Sequence, residues 1–256
     1  IVVIVILVKS SRQLRNANKA ITEACQNAER ALKVKNSFIK SIKHEIRTPL
    51  NGIVGFSQVL TSMLYDKEEY KHMTDVIIDK SNQLTKIIDD VLYASDIQNI
   101  PVNLESVNIG DVIVDVSANY RGLLPKDGEM IVTPDSSDIM ATTDRTLLAK
   151  AQTLVGENAV QCAGNSLITI SAKQDDSHTE ITVSDCGKGI PKDKSEWVFE
   201  EFTKVDDFTQ GTGLGLAICR EVMKRLNGSI CIDTNYTCGC RMVINLPLTP
   251  GQGTGT

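Results

Sequence analysis

The hydrophobic period of this chain changes near Ile100-Pro101, so different kinds of structure are expected on the two sides of that point. Before it, apolar residues alternate spacings of three and four from Ile39 to Leu60, and again from Met73 to Ala94. This rhythm is typical of the seam between packed helices. Because two antiparallel helices bury too little core alone, we predict that two copies pair as a dimeric four-helix bundle.

After Pro101, which cannot continue a helix, strand-like and helix-like segments are mixed. This pattern predicts an α/β domain whose last helix ends in a left-handed cap at Asn227-Gly228. The predicted strands are 105–109, 129–133, 167–173, 179–185, 229–234 and 240–246, and the predicted helices are 110–120, 144–163 and one that follows Gly213 and runs to Leu226.

The first eight residues are uninterrupted apolar and are followed by Lys9, Arg12 and Arg15. This is typical of the end of a transmembrane helix, whose full span needs about 20 apolar residues, and the basic residues predict that the rest is cytoplasmic. A buried β-strand is the alternative, since β-branched residues suit either structure. Residues 9–37, which are polar and lack Gly and Pro, are predicted to form a connecting helix, and residues 250–256 a flexible tail.

Composition and charge exclude several classes of protein. A hydrophobic content of 41% and a charged content of 23% are globular values and exclude a disordered or fibrous chain. The net charge of −5 provides no general attraction for nucleic acid. The seven cysteines are odd in number and scattered, so free thiols in a reducing compartment are predicted rather than a disulfide framework. Cys238 and Cys240 lack the second ligand pair that a zinc site needs.

His44 is followed directly by Glu45 and, one turn later, by Thr48. At ~100° per residue it lies about 200° from both Ile42 and Ile46, so we predict that it points away from the seam and is exposed. A neutral imidazole can accept a phosphoryl group, and an adjacent carboxylate can take its proton. These residues are therefore candidates for phosphoryl transfer.

Two glycine-rich turns form a second group of candidate residues. Asp185 ends a predicted strand and is followed by Gly187 and Gly189, both free to adopt positive φ. An acceptor at that place can take a hydrogen bond from an exocyclic amino group. The second turn, residues 211–216, opens a predicted helix whose free N–H groups can hold phosphates. Its G-x-G-x-G spacing fits neither the Rossmann nor the Walker A pattern.

Taken in order, these residues resemble the two-domain sensor histidine kinases. The run His44-Glu45-Ile46-Arg47-Thr48-Pro49-Leu50 resembles the H box of that family, Asp185 to Ile190 its first glycine box, Phe199 and Phe202 its F box, and Gly211 to Leu216 its second glycine box. The resemblance implies an all-α dimerisation and phosphotransfer domain at 38–99. It also implies an ATP-binding domain at 105–249, an α/β two-layer sandwich of the Bergerat type.

The resemblance assigns a role to each site residue. His44 would receive the γ-phosphoryl group of ATP, Glu45 would assist as base, and Thr48 would position water for phosphatase action. Asp185 would read the adenine amino group. Gly187 and Gly189 would shape the adenine pocket. The second glycine turn would frame the phosphates and the lid at 203–213, and it contributes Gly211, Thr212, Gly213, Leu214 and Gly215.

Residues 154–163 resemble the N box of the family, in which Asn158 would be the Mg²⁺ ligand. The segment departs from that pattern because Leu154 replaces an Asn, Gln161 a Lys and Cys162 an aromatic residue. Loss of the Lys removes a positive charge that would pair with phosphate. Another interpretation is that the helix simply packs on the sheet through Ala151, Leu154, Val155 and Ala159.

The family resemblance implies a homodimeric histidine kinase, tethered to the bacterial inner membrane with this portion in the cytoplasm. It would autophosphorylate His44 from Mg-ATP and pass the phosphoryl group to an aspartate of a separate response regulator, with residues 99–104 as a hinge. Two alternatives stay open. A degenerate dimeric interaction module or phosphatase with weak ATP turnover is favoured by Gln161, whereas a gyrase-like ATPase leaves the residues around His44 unexplained.

Overall fold

The computed structural model describes residues 15, 19, 42–43, 45–60, 67–121, 124, 128–133, 139–164, 167–205 and 212–248. The predicted membrane segment 1–8 and tail 250–256 lie outside these residues, as does nearly all of the predicted connecting helix. Within the described part of the chain, every helix is too short or too polar to cross a bilayer.

Most of the described residues before Pro101 lie in two helices. The helical residues 42–43 and 45–60 are called α1 here, and α2 covers Lys67–Asp96 and leads into a 3-10 turn at Ile97–Asn99. The predicted seam is confirmed as the less exposed side of both helices, with Ile87 buried in α2 and Pro49 buried in α1. Helix α1 continues through Pro49.

The α/β part contains seven strands and three long helices among the residues described. The strands are β1 Glu105–Asn108, β2 Met130–Val132, β3 Met140–Thr143, β4 Ile168–Gln174, β5 His178–Asp185, β6 Ser229–Ile232 and β7 Arg241–Pro247. The helices are α3 Ile109–Arg121, α4 Arg145–Ala163 and α5 Gly215–Arg225. The predicted α/β class of this domain is confirmed.

Five strands form one sheet in the order β2-β4-β5-β7-β6, and β1 pairs with β3 in a separate two-stranded sheet. Strands β2 and β4 are parallel, and the other neighbours in the large sheet are antiparallel. Ala172, Ile181, Ile244 and Ile230 follow one another across four strands and are all buried. Alternate residues of these strands therefore build one face of a core.

Helices α3, α4 and α5 cover that buried face, and the close approach of α3 to α4 depends on one glycine. Tyr120 of α3 donates a hydrogen bond from its hydroxyl to the carbonyl of Gln152 at 2.7 Å. Its ring occupies the space beside Gly156, where a Cβ would lie only 2.3 Å from ring carbons. Burial raises the pKa of this hydroxyl and keeps it a neutral donor.

The predicted α/β elements agree with the structure to within two residues at each end, and the left-handed cap after α5 is confirmed at Asn227, whose φ is 55°. Strand β3 was not predicted. Only Ala141 and Thr143 of its four residues are buried, and it pairs solely with the short β1 in the structure described. Four residues with two threonines carry little hydrophobic pattern, so the long-range pairing determines this strand.

Candidate functional site

Asp185 is the last residue of β5 and is only 3% exposed. Its Oδ1 accepts hydrogen bonds from the backbone N–H of Gly187 at 2.8 Å and of Cys240 at 3.3 Å. Burial raises the pKa of this carboxyl, and the two backbone hydrogen bonds oppose part of the rise. Since both bonds use Oδ1, Oδ2 keeps its acceptor capacity for a donor that enters the site.

The two glycines after Asp185 are required for different reasons. Gly189 has a φ of 69°, and a Cβ there would lie 2.8 Å from the carbonyl oxygen of Gly239. At Gly187 a Cβ would lie 2.2 Å from the carbonyl oxygen of Cys162. The predicted positive φ is therefore confirmed for Gly189 and wrong for Gly187, which is needed because the end of α4 approaches the turn so closely.

Cys186 and Cys238 form a disulfide, with their Cα atoms 4.8 Å apart. The prediction of free thiols is wrong for this pair, which is separated by 52 positions in the sequence. One cysteine lies in the turn after β5 and the other in the connection between β6 and β7, so only the folded sheet brings them together. The described cysteines outside this disulfide are Cys162, Cys219, Cys231 and Cys240.

Helix α4 passes both glycine turns. Leu154, Asn158 and Cys162 are spaced four residues apart and therefore share one side of the helix. A Cβ on Gly215, the first residue of α5, would lie 3.7 Å from Cδ2 of Leu154, while the Cys162 carbonyl meets Gly187 at the other turn. The half-buried Asn158 thus lies on α4 between the contacts to the two turns.

The departures from the N-box pattern have distinct structural positions. Leu154 is buried in the core, whereas Gln161 is exposed near the end of α4. The interpretation that this helix packs on the core is confirmed for its apolar residues, Ala151, Leu154, Val155 and Ala159. Packing and a polar role are compatible here, because Asn158 is only half-buried and Gln161 is exposed.

The second glycine turn leads directly into α5. Gly211 lies outside the described residues, while Thr212 accepts a hydrogen bond at its Oγ1 from the N–H of Leu214 at 3.1 Å. Leu214 is the N-cap of α5 and offers no side-chain acceptor to the first turn of the helix, which Gly215 begins. The first N–H groups of α5 therefore receive no side-chain cap from Leu214 and suit an anion.

The two ends of the predicted lid meet at its base. The N–H of Phe202 donates to the carbonyl of Gly213 at 2.9 Å, and a Cβ on Gly213 would lie 2.8 Å from the Thr203 carbonyl oxygen. Both Phe202 and Gly213 have positive φ, 63° and 70°. Phe199 is 1% exposed and anchors the preceding turn in the core. The intervening residues 206–211 lie outside the described part of the chain.

The candidate phosphoacceptor His44 also lies outside the described residues, but its neighbours on α1 are described. Glu45 is half-buried, and its Oε1 lies 2.5 Å from Nζ of Lys204, at the lid base. Thr48 is exposed. Sequence reasoning missed Lys204, because a lysine 159 positions from its partner carries no local signal. The ion pair places the lid base against the residue next to His44.

Further ion pairs join the helical part to the α/β part. Nζ of Lys86 on α2 lies 2.5 Å from Oε2 of Glu157 on α4, and Nζ of Lys150 lies 3.8 Å from Oδ1 of Asp90. Asp90 is buried, which raises its pKa, while the positive charge of Lys150 opposes the rise. Helix α4 therefore contacts α2 at Glu157, next to Asn158.

Comparison with protein families gives two matches. Residues 34–100 match the His Kinase A (phospho-acceptor) domain, and residues 143–250 match the Histidine kinase-, DNA gyrase B-, and HSP90-like ATPase family. Together the two matches cover more than half of the 256 residues. The first includes His44 and the second includes all the predicted nucleotide-binding residues.

Among curated proteins, the chain is 29% identical over 253 residues to the autoinducer 2 sensor kinase/phosphatase LuxQ of Vibrio vulnificus. The match covers 93% of this chain and 29% of LuxQ, so the chain spans less than a third of that relative.

Among solved structures, the histidine kinase ThkA in complex with the response regulator protein TrrA is similar with a TM-score of 0.70 at 22% identity, covering 88% of this chain and 65% of that one. Full-length ShkA in complex with AMPPNP gives 0.62 at 23% identity, covering 84% and 46%. At these identities the similarity establishes the fold. With the two family matches and the geometry of the glycine turns, it shows that the chain belongs to the two-component sensor histidine kinases, which are ATP-dependent protein-histidine kinases.

Proposed function

We propose that this chain autophosphorylates His44 from Mg-ATP and passes the phosphoryl group to an aspartate of a separate response regulator. The observation that carries the proposal is that the two glycine turns and Asn158 lie in a row along α4. This helix contacts the turn after Asp185 at one end and the start of α5 at the other, with Asn158 between them. Such an arrangement suits a ligand with a base at one end and phosphates at the other.

In this proposal, Asp185 accepts the adenine amino group at Oδ2, and Gly187 and Gly189 allow the close backbone packing that shapes the turn beside the adenine ring. The first N–H groups of α5, together with Thr212 and Gly213, hold the phosphates. The carbonyl oxygen of the Asn158 side chain is a suitable Mg²⁺ ligand, since Mg²⁺ prefers oxygen donors. When bound, the ion would neutralise charge on the phosphate oxygens.

At the phosphoacceptor, the neutral imidazole of His44 attacks the γ-phosphorus, an N–P bond forms, and the bond to the β-phosphate oxygen breaks with ADP as leaving group. Glu45 takes the proton from the other ring nitrogen. The ion pair of Glu45 with Lys204 supports phosphoryl transfer at this helix, because it brings the lid base to the phosphoacceptor helix. When Glu45 receives the proton it becomes neutral, so its ion pair with Lys204 is lost and Lys204 must bind another partner.

Delivery of ATP to His44 requires the two domains to move relative to each other. The sequence predicts a hinge at residues 99–104, but Arg225 of α5 donates to the carbonyls of Ile97 and Ile100, and Asp144 accepts from the N–H of Asn103. The linker is thus bonded to the ATP-binding domain on both sides of Pro101. These bonds favour a hinge that lies before Ile97, or one that opens when they break.

A phosphatase activity toward the same response regulator is part of the proposal. Thr48 lies on α1, exposed and one turn from His44, where it can orient a water molecule toward a phosphoaspartate. The description of LuxQ as a sensor kinase/phosphatase and the ThkA complex with a response regulator support both halves of this function. The domain division at 38–99 and 105–249 is proposed with it.

Homodimerisation is proposed from apolar residues on the helices. Val54 of α1 is 46% exposed, and Ile78 of α2 is 53% exposed, in a helix pair expected to bury such faces in a four-helix bundle. The chain is expected to sediment as a dimer at micromolar concentration, and Ile78→Glu is expected to raise the dissociation constant at least about tenfold. Val114→Glu, at an equally exposed apolar position on α3, is the matched control. A monomeric wild type would contradict the bundle.

Membrane tethering is proposed from the sequence of residues 1–8 and the basic residues that follow them. It would place the catalytic part on the cytoplasmic side of the bacterial inner membrane. A fluorescent or enzymatic reporter fused after Thr256 tests it, since an active cytoplasmic reporter in the membrane fraction is expected.

A degenerate module with weak ATP turnover is the second candidate, and the exposed Gln161 favours it. Gln161→Lys is expected to tighten ATP binding by about three- to tenfold, and less at high salt, because it restores a positive charge on α4, three residues after Asn158, where the N box of the family has a lysine that would pair with phosphate. Gln161→Glu is the matched variant with a negative charge at the same position, and it is expected to weaken ATP binding. Equal affinities of the two variants, measured by calorimetry, would mean that position 161 does not face the phosphates.

A further inference from the structure

The Cys186–Cys238 disulfide joins the two segments that form the turn of Asp185. Cys186 is the residue directly after this carboxylate, and Cys238 lies in the connection from β6 to β7. The sequence predicted no role for the pair. Neither the nucleotide chemistry nor the family comparison requires it, so its position next to the adenine-reading residue needs an explanation of its own.

The segment that carries Cys238 is itself in contact with the turn. A Cβ on Gly239 would lie 2.4 Å from the Asp185 carbonyl oxygen and 2.6 Å from the Gly187 nitrogen, so the two backbones are in direct contact. The next residue, Cys240, donates its N–H to Oδ1 of Asp185 and accepts at its carbonyl from the Asp185 N–H at 2.8 Å. The disulfide thus fixes the segment that orients the Asp185 carboxylate.

The disulfide is accessible to an external reagent. Cys238 is exposed and Cys186 is half-buried, whereas the nearby Cys240 is buried. Burial raises the pKa of the Cys240 thiol to about 12, so it remains protonated and is a poor nucleophile for internal exchange. The hydroxyl of Tyr236 lies 3.7 Å from Sγ of Cys186 and can stabilise that sulfur when it leaves as a thiolate.

We propose that Cys186–Cys238 is a reversible thiol–disulfide exchange site through which a dithiol reductant weakens ATP binding at Asp185. A thiolate of the reductant attacks Sγ of Cys238, the S–S bond breaks, and Cys186 leaves as a thiolate that takes up a proton. The second thiol of the reductant then displaces Cys238, so the reductant departs as a disulfide and both cysteines become thiols. An oxidised dithiol reverses the same steps. The inference rests on the proposed nucleotide site.

The expected coupling can be measured from both directions. Reduction is expected to weaken ATP binding about tenfold, within the usual range for two coupled sites. Because linkage is reciprocal, saturating ATP should then favour the disulfide by the same factor, which lowers its reduction potential by about 30 mV. A crosslink that only stabilises the folded state would leave the ATP affinity independent of reduction and the reduction potential independent of ATP. This pair of measurements therefore separates a structural disulfide from a regulatory one.

The test uses the chain in two forms, oxidised and treated with dithiothreitol, with AMPPNP and Mg²⁺ as the probe in calorimetry. Maleimide labelling under native conditions should count two additional thiols after reduction, and circular dichroism should show that the fold is retained. The double variant Cys186→Ser, Cys238→Ser is expected to bind like the reduced form and not to respond to dithiothreitol. Cys231→Ser, at an exposed cysteine outside the disulfide, should keep the full response.

Equal affinity of the oxidised and reduced forms would overturn the inference and leave the nucleotide site standing. Failure of both forms to bind AMPPNP would overturn the nucleotide site and the inference with it. If the double variant does not fold, the comparison of oxidised and reduced wild type decides alone, and an unchanged number of thiols after reduction also counts against the exchange site.

Discussion

Asp185→Asn is expected to abolish adenine nucleotide binding while the fold is retained. An asparagine can keep its Oδ1 as the acceptor for the N–H groups of Gly187 and Cys240, so the turn is preserved. Its Nδ2 then replaces Oδ2 and presents a donor to the donor amino group of adenine. A buried site with two opposed donors is expected to lose affinity for ATP on the order of 100-fold or more.

Calorimetry with ATP and Mg²⁺ measures this loss, and urea unfolding checks that the variant is folded. Asp176→Asn is the matched control, because Asp176 is exposed in the turn that precedes β5, at the opposite end of the strand from Asp185. It should bind as the wild type does. Unchanged affinity in Asp185→Asn would remove this carboxylate from the nucleotide site.

Gly187→Ala is expected to have the next largest effect on nucleotide binding. The added Cβ would lie 2.2 Å from the carbonyl oxygen of Cys162 and 3.0 Å from Oδ1 of Asp185. The first of these atoms is backbone and cannot move without shifting the end of α4. We expect ATP affinity to fall at least about tenfold and the unfolding free energy to fall by ~1–3 kcal/mol, as in other overpacked sites.

Gly55→Ala is the matched control for this substitution, since a Cβ at position 55 of α1 meets no atom within 4 Å in the structure described. The same chemical change there should leave ATP affinity unchanged and should not lower stability, because Ala favours a helix over Gly. If Gly187→Ala binds ATP as tightly as Gly55→Ala does, then the approach of α4 to the turn has no importance for the site.

Periodicity predicted the fold well because most elements here satisfy local rules. The alternation of β4, β5 and β7 and the seam of α2 are visible in the sequence, since one side of each element is buried. Asp144 caps α4 by accepting a hydrogen bond from the N–H of Leu147 at 3.0 Å. A helix start of this kind can be predicted from the residue type at the N-cap. Strand β3 lacks such a pattern and depends on its partner β1.

The candidate site was predictable in its residues but not in its contacts. The motif identified Asp185 and the glycines, and the structure brings Asp185, Gly187 and Gly189 into one turn. The reason for Gly187 is a tertiary approach by Cys162, and no spacing rule contains it. The disulfide and the ion pair of Lys204 likewise join residues far apart in sequence, so they follow from the packing of whole elements.

The most direct test of the kinase assignment is incubation of the chain with γ-labelled ATP and Mg²⁺, followed by measurement of acid-labile, base-stable label on the protein. His44→Ala is compared with His72→Ala, a matched control at an exposed histidine of α2. We expect equal label on the wild type and His72→Ala, and none on His44→Ala. Label that persists in His44→Ala, or a folded wild-type dimer that acquires none, would contradict the assignment of His44 as the phosphoacceptor of a working kinase.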